Sequence, residues 1–192
     1  MKNAPRSVPT APYHAVRFYD NEKSLAQIVA EFLAEGLTGG TPGIVVAAPS
    51  QRAAILRELV IRSFDVVSLQ RSGELVLLDA EETLATFMRD DGKLYAKAFQ
   101  NEMCSVIRKA CGGRTDRPVR IYGQMVDILW KSGKHTLAIR LEVLWNQLAN
   151  THAFSLLCGY AIGSFYKDAN FEEICSQHTH VVSGNGSAKA VA

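Results

Sequence analysis

Short continuous apolar runs alternate along this chain with longer stretches whose apolar residues recur every three or four positions. The runs are 14–19 (HAVRFY), 43–48 (GIVVAA), 74–79 (ELVLLD), 119–123 (VRIYG) and 154–160 (FSLLCGY). Runs of this length, rich in β-branched residues, suit strands buried on both faces. A weaker run, Val66–Leu69, predicts a further short strand. Between the runs, Leu25, Ile28, Val29, Phe32 and Leu33 mark one face of an amphipathic helix, with Asn21 or Asp20 as its cap. Ser50 is the expected cap of a helix over Gln51–Ile61. Tyr95, Phe99, Met103, Val106, Ile107 and Ala110 mark a longer helix ending at Gly112-Gly113. Leu137, Leu141, Leu144 and Leu148 mark another. Gly36, Gly39, Gly40 and Gly43 read as the return from the first helix to the second strand. This alternation predicts an α/β fold with a mostly parallel central sheet flanked by helices. Ligands of such sheets sit outside the carboxyl ends of the strands, here 19–24, 48–51, 79–82, 123–127 and 159–164. Residues 1–12, with three prolines, read as a flexible arm, 13–182 as one domain and 183–192 as a frayed tail.

Composition narrows the partners. Of 192 residues, 21 are Lys or Arg and 19 are Asp or Glu, a net charge of +2 with the basic residues scattered. No basic field for nucleic acid is present. No apolar run approaches the ~20 residues of a membrane span, and the N-terminus has no secretory apolar segment. A cytoplasmic protein without membrane association is expected. Cys104, Cys111, Cys158 and Cys175 form no CxxC pair and are expected to be reduced thiols. Cys104 and Cys111 share a helical face as small apolar residues.

The first strand leads into "DNEKS", where Lys23-Ser24 opens a helix as Lys-Ser or Lys-Thr does in a phosphate-binding loop of the form GxxxxGK[ST]. The eight residues "RFYDNEKS" contain no glycine to turn amides inward, and Asp20 and Glu22 put negative charge where phosphates would sit. Asp79, at the end of a strand, is a metal candidate in principle but reads first as a helix cap. Hydrolysis of a nucleoside triphosphate is not expected.

Other constellations remain. Tyr19, at the carboxyl end of the first strand, either faces a ligand or packs at the strand edge. His14 begins the strand, on its opposite face, and reads as structural. In "RIYGQMVDILWKSG", Gly123 allows close backbone approach and Gln124 offers a donor and an acceptor beside the apolar Met125, Leu129 and Trp130. A tight turn into a core helix is the competing reading. In "HTLAIRLEVLWNQLAN", His135, Glu142 and Asn146 share a stripe that could hold a small polar ligand or be merely solvated, with Trp145 as a packing anchor. "CSQHTH" contains Cys175, His178 and His180, residue types that suit zinc, but without a second pair nearby the spacing reads as chance. No metal site is expected. Cys158, inside an apolar strand, reads as an inert thiol.

Taken together and in order, His14–Tyr19 with "DNEKSL", "RIYGQMVDILWKSG", "LEVLWNQL" and "FSLLCGY" resemble the MEDS domain, the methanogen/methylotroph and DcmR sensory domain, over about residues 13–180. The resemblance implies a RecA/KaiC-like three-layer sandwich whose nucleotide-binding signatures have been lost. His14, Tyr19, Arg120, Gly123, Trp130, Glu142, Asn146, Cys158 and Tyr160 match its motif positions. Gln124 departs from it, replacing the usual acid. The implied function is a non-enzymatic sensory module that needs no cofactor. Its ligand would be a small molecule such as a hydrocarbon derivative, held by Tyr19, Gly123, Gln124, Trp130, Glu142, Asn146 and Tyr160. It would report in trans to a signalling protein such as a histidine kinase or an anti-sigma-type regulator, or through homo-oligomer assembly. Two alternatives stand beside it: a degenerate KaiC-like nucleotide-binding protein retaining Lys23 and Asp79, and a ligand-independent interaction scaffold.

Overall fold

The computed structural model describes residues 12–89, 92–114, 117–164, 171–183, 186 and 188–191; of the expected arm at 1–12, all but Pro12 lies outside them. Every strong apolar run forms a strand: β1 (His14–Tyr19), β2 (Gly43–Ala47), β3 (Leu75–Asp79), β4 (Val119–Gly123) and β5 (Phe154–Ala161). The helices are α1 (Glu22–Thr38), α2 (Pro49–Ile61), α3 (Val66–Ser72), α4 (Ala80–Phe87), α5 (Ala96–Ala110), α6 (Met125–Lys131), α7 (His135–Ala149) and α8 (Phe171–Ser176). Two short strands follow, β6 (His180–Val182) and β7 (Ala188–Ala190).

The strands form one seven-stranded sheet in the order β3-β2-β4-β5-β1-β6-β7. All neighbours are parallel except β6 and β7. Two apolar clusters lie on its faces. One gathers α4, α5, α6 and α7 over Val16, Ile44, Ile121 and Leu156. The other gathers α1 and α2 over Ala15, Val45, Tyr122 and Leu157. Successive strand residues thus enter opposite clusters, as period-2 geometry requires. This is the three-layer sandwich that the sequence predicts.

Four local expectations change. Val66–Leu69 is not a strand but the start of α3, because the Asp65 carboxylate accepts from the Ser68 amide and closes a helical turn. Ser50 does not cap α2; the helix starts at Pro49, whose fixed φ and missing N–H suit the first helical position. Part of the expected tail is a strand, β7, because Val181 and its neighbours offer an open edge to residues 188–190. Gly36 lies within α1 rather than in the return to β2: a Cβ there would come 2.7 Å from Arg120 Cδ. The helix therefore needs glycine to lie so close to β4.

Candidate functional site

Helix α7 runs antiparallel to β5. Near its start, His135 stacks on Trp130 with centroids 4.2 Å apart, and Trp130 meets Tyr160, late in β5, edge to face. Toward its end, Trp145 meets Phe154, the first residue of β5. A stripe of residues on α7 therefore crosses the sheet from the carboxyl to the amino ends of the strands. Seven residues of rise, about 10.5 Å, separate His135 from Glu142, and the two do not share a site. Glu142 and Asn146 do share one.

Glu142 has no exposed surface. Its Oε1 accepts from the Tyr160 hydroxyl at 2.8 Å, and its Oε2 accepts from the Cys158 thiol at 3.4 Å. His14 Nε2 lies 3.2 Å from Oε2 and 3.4 Å from Cys158 Sγ. His178 Nε2 lies 3.3 Å from Oε1 but makes no hydrogen bond. The two imidazoles sit with centroids 4.2 Å apart. Their outer nitrogens are both held: His14 Nδ1 is 2.9 Å from Asn146 Oδ1, and His178 Nδ1 is 2.7 Å from the Ile174 carbonyl. Asn146 in turn donates from Nδ2 to the Gln177 carbonyl at 2.9 Å. Burial alone would raise the Glu142 carboxyl, but the charge His178 and His14 can carry reverses this and holds it well below the usual carboxylate range. Burial, with Glu142 second, pushes the Cys158 thiol and the Tyr160 phenol well up.

Five expected residues thus converge: His14, Glu142, Asn146, Cys158 and Tyr160. They meet toward the amino-terminal half of β1, not at the strand carboxyl ends where ligands were sought, because α7 carries its stripe there. His178 was read with Cys175 and His180; the fold turns it instead into this cluster.

A second constellation, with Tyr19 and Asp127 buried and Lys131 exposed, does occupy the strand carboxyl ends. The Tyr19 hydroxyl donates to Asp127 Oδ2 at 2.7 Å and accepts from Lys131 Nζ at 2.8 Å. Lys131 Nζ is also 2.8 Å from Asp127 Oδ2, while Asp127 Oδ1 accepts from the Ala161 amide at 2.9 Å. Burial, together with the Asp127 charge, raises the Tyr19 phenol far above its ordinary value. For Lys131, burial works downward but the bonds to Asp127 and Tyr19 prevail, so the ammonium is held charged.

The remaining expected residues stand apart. Gln124 is buried, and its Oε1 accepts from the Ala48 amide at 2.9 Å, tying the ends of β4 and β2 together. Gly123 pairs with Val46 and Cys158 inside the sheet, and a Cβ there would make ordinary contact with Leu156 at 3.8 Å. Trp130 is packed in the core between His135 and Tyr160. Arg120 reaches the opposite layer, with the Phe32 carbonyl and, at 2.8 Å, Glu35 as partners.

At the turn that resembles a phosphate loop, Asn21 Oδ1 accepts from the Lys23 and Ser24 amides at 2.8 and 3.2 Å. Asp79 caps α4 through the Glu81 and Glu82 amides and lies 3.2 Å from Arg52.

A cavity of about 410 Å³ opens at the amino ends of β1 and β5. His14, Asn146 and Thr179 supply polar wall, and Trp145, Ala149 and Phe154 supply apolar wall. His14 and Asn146 belong to both the cavity and the buried cluster. Among the described residues no helix is long and apolar enough to cross a membrane.

Comparison with known proteins agrees with this architecture. No curated protein matches the chain. Among solved structures, a KaiC-like protein of the hyperthermophilic archaeon Pyrococcus horikoshii OT3 superposes with a TM-score of 0.59 at 11% identity, covering 89% of this chain and 71% of the other. At that identity the likeness is one of fold. The family model of the methanogen/methylotroph, DcmR sensory domain matches residues 13–179, and the chain belongs to the MEDS family.

Proposed function

We propose that this chain is a non-enzymatic sensory module that takes a small molecule into the cavity beside His14 and Asn146 and reports its presence to a signalling protein in trans. The observation that carries this reading is the sharing of two residues. His14 and Asn146 line the 410 Å³ cavity and also belong to the buried cluster with Glu142 and Cys158. A molecule in the cavity therefore touches groups bonded to β1, β5 and α7 at once. The walls mix polar and apolar groups, as small-molecule sites do, and suit a compact hydrocarbon derivative with one polar end. Membership in a sensory-domain family supports the same reading.

The nucleotide alternative is less well supported. The amides at the start of α1 already bond Asn21, and Asp79 already serves α4 and Arg52. Millimolar Mg-ATP is expected to leave the melting temperature unchanged; a rise that Lys23→Ala removes would restore that alternative.

Titration calorimetry of the full chain against small methylated and halogenated hydrocarbon derivatives tests the sensory reading. Heat is expected from at least one compound and is expected to vanish in Ala149→Trp, which fills the cavity from an exposed position on α7. Silence across the panel, or binding indifferent to that substitution, overturns it. A histidine kinase or an anti-sigma-type regulator is the class of partner this module would address, as a monomer or as a homo-oligomer.

A further inference from the structure

We propose that His14, Glu142, Cys158 and His178 form a closed binding site for a single zinc ion. Each residue offers one ligand atom, and these atoms all lie within 4.8 Å of one another, every residue buried. Zinc bonds of about 2.0–2.3 Å in tetrahedral array place neighbouring ligand atoms about 3.3–3.6 Å apart. The observed separations are 3.2 Å for His14 Nε2 to Glu142 Oε2, 3.4 Å for His14 Nε2 to Cys158 Sγ and 3.4 Å for Cys158 Sγ to Glu142 Oε2, and His178 Nε2, 3.3 Å from the other carboxylate oxygen, Oε1, completes the set.

The outer hydrogen bonds fix how the imidazoles point. The Ile174 carbonyl can only accept, so His178 Nδ1 carries the hydrogen. Asn146 donates its amide to Gln177, so its oxygen faces His14, and His14 Nδ1 carries the hydrogen as well. In the neutral ring both Nε2 lone pairs then aim at a carboxylate, where something positive must sit between them. Two protons would serve poorly, since His178 Nε2 has no aligned acceptor although its side chain is fully buried. One divalent ion serves all four atoms. With a carboxylate and a thiolate, its charge is balanced to zero, which a buried site requires.

Holding the far nitrogen of each ligating histidine, and the second carboxylate oxygen through Tyr160, is how metal sites orient their ligands. Imidazole, thiolate and carboxylate together favour zinc over magnesium or calcium. Four protein ligands leave no open position, so the ion would fasten β1, α7, β5 and the segment after α8 to one another. The cavity beside His14 gives a route of entry. Thiol ionisation releases one proton to solvent on binding.

The test uses the full chain, stripped with chelator, reduced, and titrated with Co²⁺ and then Zn²⁺. One equivalent of Co²⁺ is expected to give tetrahedral d–d bands and a thiolate charge-transfer band, both bleached by one equivalent of Zn²⁺. Cys158→Ser is expected to abolish the charge-transfer band, whereas Cys104→Ser and Cys175→Ser keep it. Asn146→Ala, which leaves every ligand in place, is expected to weaken zinc about 10–100-fold, with Asn146→Asp recovering most of the loss. Zinc X-ray absorption on the unaltered chain is expected to show one sulfur with nitrogen and oxygen neighbours, and needs no variant to fold. Absence of uptake, a first shell without sulfur, or a charge-transfer band surviving Cys158→Ser would overturn the site. Metal uptake and calorimetric ligand binding are separate readouts, so either this site or the sensory reading can fail alone.

Discussion

Asp127 is fully buried, yet both carboxylate oxygens are engaged: Oδ1 by the Ala161 amide, Oδ2 by Tyr19 and Lys131. Hydrogen bonds to buried charge contribute more than neutral ones. Tyr19→Phe is therefore expected to cost about 1.5–3 kcal/mol in urea denaturation; no change would mean that the phenol is idle. The same phenol sets an alkaline limit. Tyr19, Tyr122 and Tyr160 are all raised, in each case first by burial, and then by Asp127 for Tyr19, by Tyr19 and Asp127 for Tyr122 and by Glu142 for Tyr160. The unfolded chain releases phenolic protons near pH ~10, while the folded chain retains them. Above that pH the folded state binds more protons, so stability falls as pH rises. Urea midpoints measured from pH 8 to 11 are expected to drop above about 10, less steeply in Tyr19→Phe, and a flat profile would contradict this assignment. Sequence reading found Tyr19 and missed its partners. Asp127 and Lys131 are an i, i+4 acid–base pair, hidden among the apolar residues of "MVDILWKSG". His178 was visible but was read with its chain neighbours. Apart from the Ile174 carbonyl, its partners Glu142 and His14 lie far away along the chain, and no local spacing reports them.

Secondary-structure ends were legible where a side chain closes them. Asn21 caps α1, and Asn21→Ala is expected to cost about 1 kcal/mol of stability. Val66–Leu69 misled because β-branched content predicts a strand, whereas Asp65, one residue earlier, supplies the cap that decides for α3. The short β6 and β7, three residues each, are too brief to show any period. Gly36 makes a sharper test of packing. In an unconstrained helix Gly→Ala stabilises by up to ~1 kcal/mol. Here the new Cβ would strike Arg120, which Glu35 and the Phe32 carbonyl hold in place. Gly36→Ala is expected to lower the melting temperature alone and to raise it when added to Arg120→Ala. Additive effects in that double-mutant cycle would show that the two residues do not meet.

The sandwich was readable as a whole because strand and helix alternate cleanly, but the order of the strands was not. Nothing local says that β1 lies between β5 and β6. That placement predicts that a fragment ending at residue 150 does not fold, since β1 would lack both neighbours. Circular dichroism without a cooperative melt, together with rapid proteolysis, is the expected result; a stable fragment would argue against it. The same placement has a consequence during synthesis. Once synthesised, β1 must wait for residues 154–161 and 180–182, roughly 10–30 s at ordinary elongation rates. Throughout that interval a nascent apolar segment carries two unmet edges, exposed to other nascent chains. Codon changes that slow translation between β1 and β5 would then lower soluble yield while leaving the finished protein chemically identical, and a holding chaperone would restore it.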